Sequence, residues 1–351
     1  MIADGHYLLH KAIAQEDCAK ALVVDNDVKP LAKVVAQYIA AFTNAHWEVT
    51  VVFDGVAPPG KRRTSTMRAD KRRAALQRSR NQAVQGDLVG AEQSAKQSAS
   101  FSPRVVARVS SILRNDTLAE IMTAPYEADG QLKMMEDFYW ATTPKCFVHG
   151  TDSDLVVIGV RSLLWQVSSP GGVLGGQVID RNLILHPPDS VLRRSDEAGG
   201  AFLRRLHGIG TPGNPQRLPC LPAGVVVERF LDFSCLAGND YVNLHRIGPK
   251  TAMQIAFGGE GRADNNDQGR DARMMDLAKR VVFSFPKLGT VTDVKRDISI
   301  SRDMWEHPGV WDPLTGEHVH LSGVETSRHL QDATGARYGT TVQLLLHVHA
   351  T

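Results

Sequence analysis

Two rhythms of apolar and polar positions alternate along this chain, and their changeovers predict an α/β fold. From Pro30 to Phe42, the apolar residues Leu31, Val34, Val35, Tyr38, Ile39 and Phe42 recur every three or four residues, the spacing of one buried helix face. Trp47 to Phe53 (WEVTVVF) is instead a β-branched and aromatic run, which predicts a strand ending at Asp54-Gly55. Ile2-Ala3 reads as the end of a first strand, with Asp4 at its carboxyl end and Gly5 permitting the turn. That strand starts so close to Met1 that further sequence upstream is expected. Ser102-Pro103 opens a helix carrying Val105, Val106, Val109, Ile112 and Leu113 on one face. Lys145 to His149 predicts a strand, and Leu155 to Leu164 another sheet segment. Helices are expected again at Val225 to Leu236 and Arg273 to Phe283, and an extended or hairpin segment at Trp305 to Leu321.

Between these elements the pattern breaks down. Gln82 to Ser100 is small and polar, with Gly86 and Gly90, and is expected to include a mobile turn. Residues 168–226 carry Gly171, Gly172, Gly175, Gly176, Pro187-Pro188 and a Gly/Pro cluster at 208–222, which predict long loops. Residues 258–269 are low-complexity and polar, and predict a flexible loop.

Composition narrows the class. With 351 residues, 42% hydrophobic and 22% charged, the chain fits an ordinary globular protein of one large domain, or one with an appendage. No apolar stretch approaches a membrane span, and no secretory segment opens the chain. Cys18, Cys146, Cys220 and Cys235 lack metal-ligand spacing and are expected to be reduced thiols in a cell interior. The net charge of +2 conceals its distribution: nine Lys or Arg residues and one acid, Asp70, lie between Lys61 and Arg80. A charge run is commonly a solvated face. This one has a single sign and directly follows the strand ending at Asp54, which suits a phosphate-binding segment. Lys61 and Arg68, about two turns apart on a helix, would share a face.

The candidate chemistry is carboxylate chemistry. APYEADGQL supplies Glu127 and Asp129, and GTDSDL supplies Asp152 and Asp154. Four acids so close repel one another unless a cation neutralises them, and oxygen ligands without Cys or His point to Mg²⁺ or Mn²⁺ rather than zinc. Asp4, Asp54 and Asp240 join them from sites of the same kind. The plainer alternative is that these acids cap strands and helices. No GxGxxG opens a helix, which excludes a nucleotide cofactor site, and no Ser/His/Asp or Cys/His set is evident. Ile247-Gly248-Pro249-Lys250 is a turn entering a helix; its free N–H groups beside a lysine suit a nucleic-acid phosphate.

Taken in order, VVFDG (51–55), APYEADGQL (124–132), TDSDL (151–155), AGNDY (237–241) and IGPK (247–250) resemble the 5′-nuclease superfamily of flap endonucleases, double-strand DNA exonucleases and excision-repair nucleases. DGHYLLHKA (4–12) and APYEAD resemble most the eukaryotic 5′→3′ double-strand exonuclease branch. The resemblance implies a mostly parallel sheet flanked by helices, a helical arch and a helix–two-turn–helix lobe. It divides the chain into a nuclease region at 1–167 with the arch at 56–101, a loop-rich insertion at 168–222, a second nuclease region at 223–321 with the duplex-binding element at 237–256, and an extension at 322–351.

It also implies roles. Asp4, Asp54, Glu127 and Asp129 would hold a first metal, and Asp152, Asp154 and Asp240 a second, both Mg²⁺ with Mn²⁺ as substitute. Lys61 and Arg68 would grip the scissile phosphate, and His10 would support the neighbouring base. Arg246, Ile247, Gly248 and Lys250 would meet duplex backbone, with K⁺ as a possible helper and Arg246 standing where the family has glycine. The implied protein is a nuclear, monomeric enzyme acting on double-stranded DNA with a 5′ end, nick or flap. An organellar site stays open, and no membrane association or sliding-clamp motif is indicated. Flap endonuclease activity, or silent binding of branched DNA, remain the alternatives.

Overall fold

In the computed structural model the short apolar runs become neighbouring strands, and their alternation gives each face of the sheet its own helices. The structure describes residues 1–15, 17–140, 146–168, 175–187, 198–207, 223–237, 241, 244, 247–257 and 270–321. These fall into two compact units: Met1–Ile179 with the hairpin that begins at Gly309, and Asp180–Pro308.

The first unit is built on strands β1 (Ile2–Asp4), β2 (Thr50–Phe53), β3 (Glu120–Thr123), β4 (Val148–His149), β5 (Ser162–Ser168) and β6 (Gly175–Asp180), in the order β3-β2-β1-β4-β5-β6. β1 runs parallel to β2 and β4, β2 to β3, and β4 to β5. The chain thus builds outward from β1 on one side, then returns to build on the other. In open sheets of this kind the crevice beyond the strand carboxyl ends at such a reversal is where ligands bind. Alternation sends Ala3, Val51, Phe53 and Ile121 into one cluster with Leu8 and Leu9 of α1 (Gly5–Ile13), Leu31, Val35 and Ile39 of α3 (Lys29–Thr43), and Val109 and Leu113 of α6 (Pro103–Asp116). Helix α2 (Cys18–Val23) joins the same cluster through Cys18, Ala19 and Leu22. The opposite face of the sheet receives α7 (Ala128–Trp140), which contacts β1, β2 and β4.

The basic run forms a long helix, α4 (Arg62–Val84), entered through a single 3₁₀ turn at Pro59–Lys61. Within 82–100, expected to include a mobile turn, most residues form a helix, α5 (Leu88–Ser98). Its small residues let it pack closely beside α4, with Ser79 donating to Ala91 O (2.7 Å) and Ser94 to Gln82 Oε1 (2.6 Å). Only residues 85–87 turn, around Gly86 at φ 80°, and Asp87 caps α5 by accepting from Gly90 N–H. Leu155 to Leu164 is not one strand. Asp154–Ile158 is a short helix, α8, closed by Gly159 at φ 106°, and β5 begins at Ser162. Four apolar residues in a row suit either state, and the left-handed glycine decides.

In place of the long loops expected at 168–226, the described part holds β6, two helices, α9 (Arg181–Leu185) and α10 (Ala198–Leu206), and from Ala223 the start of another helix. The second unit continues with α11 (Ala223–Ala237), α12 (Pro249–Phe257), α13 (Arg270–Ser284) and α14 (Val291–Glu306), the last opened by a Thr290/Asp293 capping box. Trp305 therefore ends a helix rather than starting the hairpin, which is β7 (Gly309–Trp311) paired antiparallel with β8 (His318–His320). That hairpin is fastened to α7 by the fully buried Gln131 amide, which donates to Trp311 O (2.9 Å) and accepts from Trp311 N–H (2.7 Å).

Candidate active site

Four neighbouring parallel strands end in acids. Asp4 closes β1, Asp54 follows β2, Glu127 and Asp129 follow β3, and Asp152 and Asp154 follow β4. Because β3, β2, β1 and β4 lie side by side, all six carboxylates belong to one carboxyl-end edge, about 14 Å across at normal strand spacing. The sheet therefore brings together six of the seven acids expected to hold metal; Asp240 lies outside the described residues.

Local packing sets where each acid stands. Asp4 caps α1, accepting from His6 N–H (2.8 Å) and Tyr7 N–H (3.1 Å). Gly55 brings the end of β2 against the loop after β3: its N–H donates to Tyr126 O, and a Cβ there would fall 2.0 Å from Ala124 O. Only glycine permits this approach, which sets Asp54 beside the start of α7, where Oδ1 accepts from Ala128 N–H (2.8 Å). Lys61, in the turn before α4, pairs with Glu127 while both are largely buried. Asp152 Oδ1 accepts from Asp154 N–H at 3.0 Å, holding the turn into α8.

The electrostatics are those of charges crowded in a partly dry cleft. Withdrawal from water, then the Asp54 charge, push the Asp4 carboxyl up to about 7, against the two N–H donors that lower it. Asp129 is raised well above the ordinary carboxylate range by withdrawal from water, then by Asp152, Glu127, Asp4 and Asp54 in turn. One acid from each of the four strand ends thus lies within electrostatic reach of Asp129. Among the described residues no three His, Cys, Asp or Glu side chains are already gathered into a coordination shell. The donors are nevertheless all oxygen and collectively over-charged, which is what a hard divalent ion fits.

His10 stands one turn beyond His6 on α1, edge-on to Phe101 at 4.9 Å. Partial desolvation, then the charges of His6, Arg68 and Arg72, lower its pKa, so Arg68 and Arg72 of α4 lie within electrostatic reach of His10. In the second unit Ile247 is buried, with its N–H bonded to Leu244 O, while Gly248, Pro249 and Lys250 are exposed at the start of α12. Arg246 lies outside the described residues.

Sequence reasoning missed His6. Its ring nitrogen Nδ1 sits 3.2 Å from the Asp54 amide nitrogen and 3.3 Å from Asp54 Oδ2. The only signal was a histidine two residues after a strand-end acid.

No family model matches the chain. Among curated proteins it is 26% identical over 327 residues to Exodeoxyribonuclease 1 of Schizosaccharomyces pombe, covering 92% of this chain and 47% of that protein. Exodeoxyribonuclease 1 of Saccharomyces cerevisiae is 26% identical over 259 residues, covering 72% and 30%, and Exonuclease 1 of Xenopus laevis 27% over 257 residues, covering 72% and 29%. By these matches the chain is similar to the 5′-nuclease superfamily. Its similarity within the superfamily is to the exonuclease 1 branch. The chain spans about half, or less, of the length of the relatives it matches. Among solved structures, the catalytic core of Rad2 in complex with DNA substrate aligns at a TM-score of 0.47 and 15% identity, covering 95% of this chain and 87% of that one.

Proposed function

We propose that this chain is a divalent-cation-dependent, structure-specific DNA nuclease that hydrolyses phosphodiester bonds 5′→3′ from ends, nicks or flaps. One observation carries the reading: acids stand at the carboxyl ends of four adjacent parallel strands, and one from each strand end (Asp4, Asp54, Glu127 and Asp152) raises the pKa of Asp129. Carboxylates that oppose one another's ionisation, beside a strongly basic helix, suit an ion and a phosphate together.

In this reading Asp4, Asp54, Glu127 and Asp129 hold one ion, and Asp152, Asp154 and Asp240 hold or orient a second. Mg²⁺ is the physiological choice and Mn²⁺ the substitute. When bound, the ions would activate water and neutralise charge on the scissile phosphate. The chain's own groups do the rest. Lys61 and Arg68 stand at the base of the α4–α5 hairpin, where their charge offsets that of the reacting phosphate. His10, with Phe101 behind it, offers a ring against which the terminal base rests. Arg246, Ile247, Gly248 and Lys250 would hold duplex backbone through N–H groups and charge, helped by K⁺. A scissile bond inside paired DNA must unpair to reach the acids, and unpairing costs least at an end, nick or flap. The chain would act as a monomer in the nucleus, during replication or repair.

The test is cleavage of 5′- and 3′-labelled blunt, recessed, nicked and flapped duplexes with Mg²⁺ or EDTA. Short products from recessed and nicked 5′ ends, lost in EDTA and in Asp152→Ala, are expected. Faster release of intact flaps would make it a flap endonuclease. Tight, salt-dependent binding of flaps without any cleavage would make it a branched-DNA-binding protein.

A further inference from the structure

We propose that His6 is a positioning residue that fixes the Asp54 carboxylate for its cation, an inference that rests on the cation-site reading above. The Asp54 side chain is 42% exposed, against 15% for Glu127. An exposed carboxylate at a strand end is free to rotate unless something holds it. Here two groups do so, one on a carboxylate oxygen and one at the backbone amide beside the other oxygen. Ala128 N–H donates to Oδ1 at 2.8 Å, and His6 Nδ1 lies 3.3 Å from Oδ2. The same nitrogen lies 3.2 Å from the Asp54 amide nitrogen. One tautomer accepts from that amide and the other donates to Oδ2, and either ties the ring to Asp54. His6 is itself well held. Its backbone N–H is bound by Asp4, and its ring stands edge-on to Phe53 (6.1 Å) and Phe101 (6.2 Å). A packed aromatic wall thus places a hydrogen-bonding nitrogen on a candidate ligand of the neighbouring strand. Groups in that place set the orientation of a ligand, and losing one lowers ion affinity about 10- to 100-fold.

The test is calorimetric titration of the whole chain with Mn²⁺, at one fixed and mildly alkaline pH, with Asp152→Ala as control. His6→Phe keeps the aromatic packing and removes the nitrogen. It should bind Mn²⁺ about 10-fold more weakly, while melting at the wild-type temperature in chelator. His6→Asn puts an amide nitrogen where Nδ1 stands and should recover most of that loss. Should His6→Phe melt early, His6→Gln, whose amide reaches the Nε2 position instead, takes its place with the same loss expected. Wild-type Mn²⁺ affinity in His6→Phe, or no recovery in His6→Asn, overturns the proposal while leaving the cation site standing. Absence of Mn²⁺ binding to the wild-type chain overturns the site and the proposal together.

Discussion

Both units bury carboxylates, and they treat them in opposite ways. In the second unit Asp232 is 4% exposed and meets two guanidiniums, Arg302 Nη1 at 3.0 Å and Arg273 Nη2 at 2.9 Å. Arg302 also bonds Glu228 (2.7 Å) and Glu306 (3.0 Å), so α11, α13 and α14 are joined by one network of alternating charge. Burial raises the Asp232 carboxyl above its ordinary value, and Arg273 and Arg302 oppose the rise. At the sheet edge of the first unit, Asp4 and Asp129 are raised by burial too, but there the neighbouring acids add to the rise. Glu136 shows that the first unit can satisfy an acid when structure alone is at stake. Fully buried, it accepts from Arg161 N–H (2.9 Å) and Ser162 N–H (3.1 Å) at the start of β5. Buried acids with complementary partners hold a fold together. Buried acids set against one another store repulsion that a ligand relieves.

The widest separation between the two regions should appear on mutating one acid-edge residue and one network residue. Asp152→Ala should lower nuclease rate by at least about 1,000-fold, on the order of 4 kcal/mol in transition-state energy, with little change in melting temperature. Arg302→Met should do the reverse, destabilising the second unit by about 3–5 kcal/mol in urea, because it leaves Asp232 buried with half its compensation. Equal stability loss in the two variants would erase the distinction.

A pH series sharpens the contrast between buried groups that are satisfied neutral and those that resist ionisation. His149 is fully buried, bonded to Tyr38 OH (2.8 Å) and Leu164 O (2.8 Å), and burial lowers its pKa to about 4. The unfolded chain takes up that proton below its usual value of 6.5, the fold only near 4. Stability from this group is therefore full above 6.5 and falls as pH drops toward 4, by roughly 3 kcal/mol. The acid edge has the opposite sign: Asp4, raised to about 7, favours the metal-free fold at low pH and loses that contribution as pH rises through 7. Comparing His149→Gln and Asp4→Asn with wild type, in chelator, should separate slopes of opposite direction. The smallest expected effect is at α12. Lys250→Ala should weaken duplex binding evenly across sequences and lower the salt slope by about one.

The acids at strand ends were legible because the signal is local: a short apolar run followed by Asp, repeated at Asp4, Asp54 and Asp152. Helices α3 and α6 were legible from their apolar spacing, and the β7–β8 hairpin from its turn residues. What could not be read depends on partners distant in sequence. His6 meets Asp54 across 48 positions, and Gln131 meets Trp311 across 180. Helix α5 was hidden because small residues look loop-like until α4 lies against them. The Leu155–Ile158 turn was hidden because an unbroken apolar run carries no period.

The most direct test of the stored repulsion is the melting temperature of wild type and Asp129→Asn, each in chelator and in excess Mg²⁺, at a pH above 7. Asp129→Asn should melt higher than wild type in chelator, since it removes a charge that its neighbours oppose. Mg²⁺ at about 100 times its dissociation constant should stabilise wild type by about 2.7 kcal/mol and the variant much less. A wild type indifferent to Mg²⁺, together with an Asp129→Asn that melts lower in chelator, would show the acid edge to be ordinary structure and contradict the account.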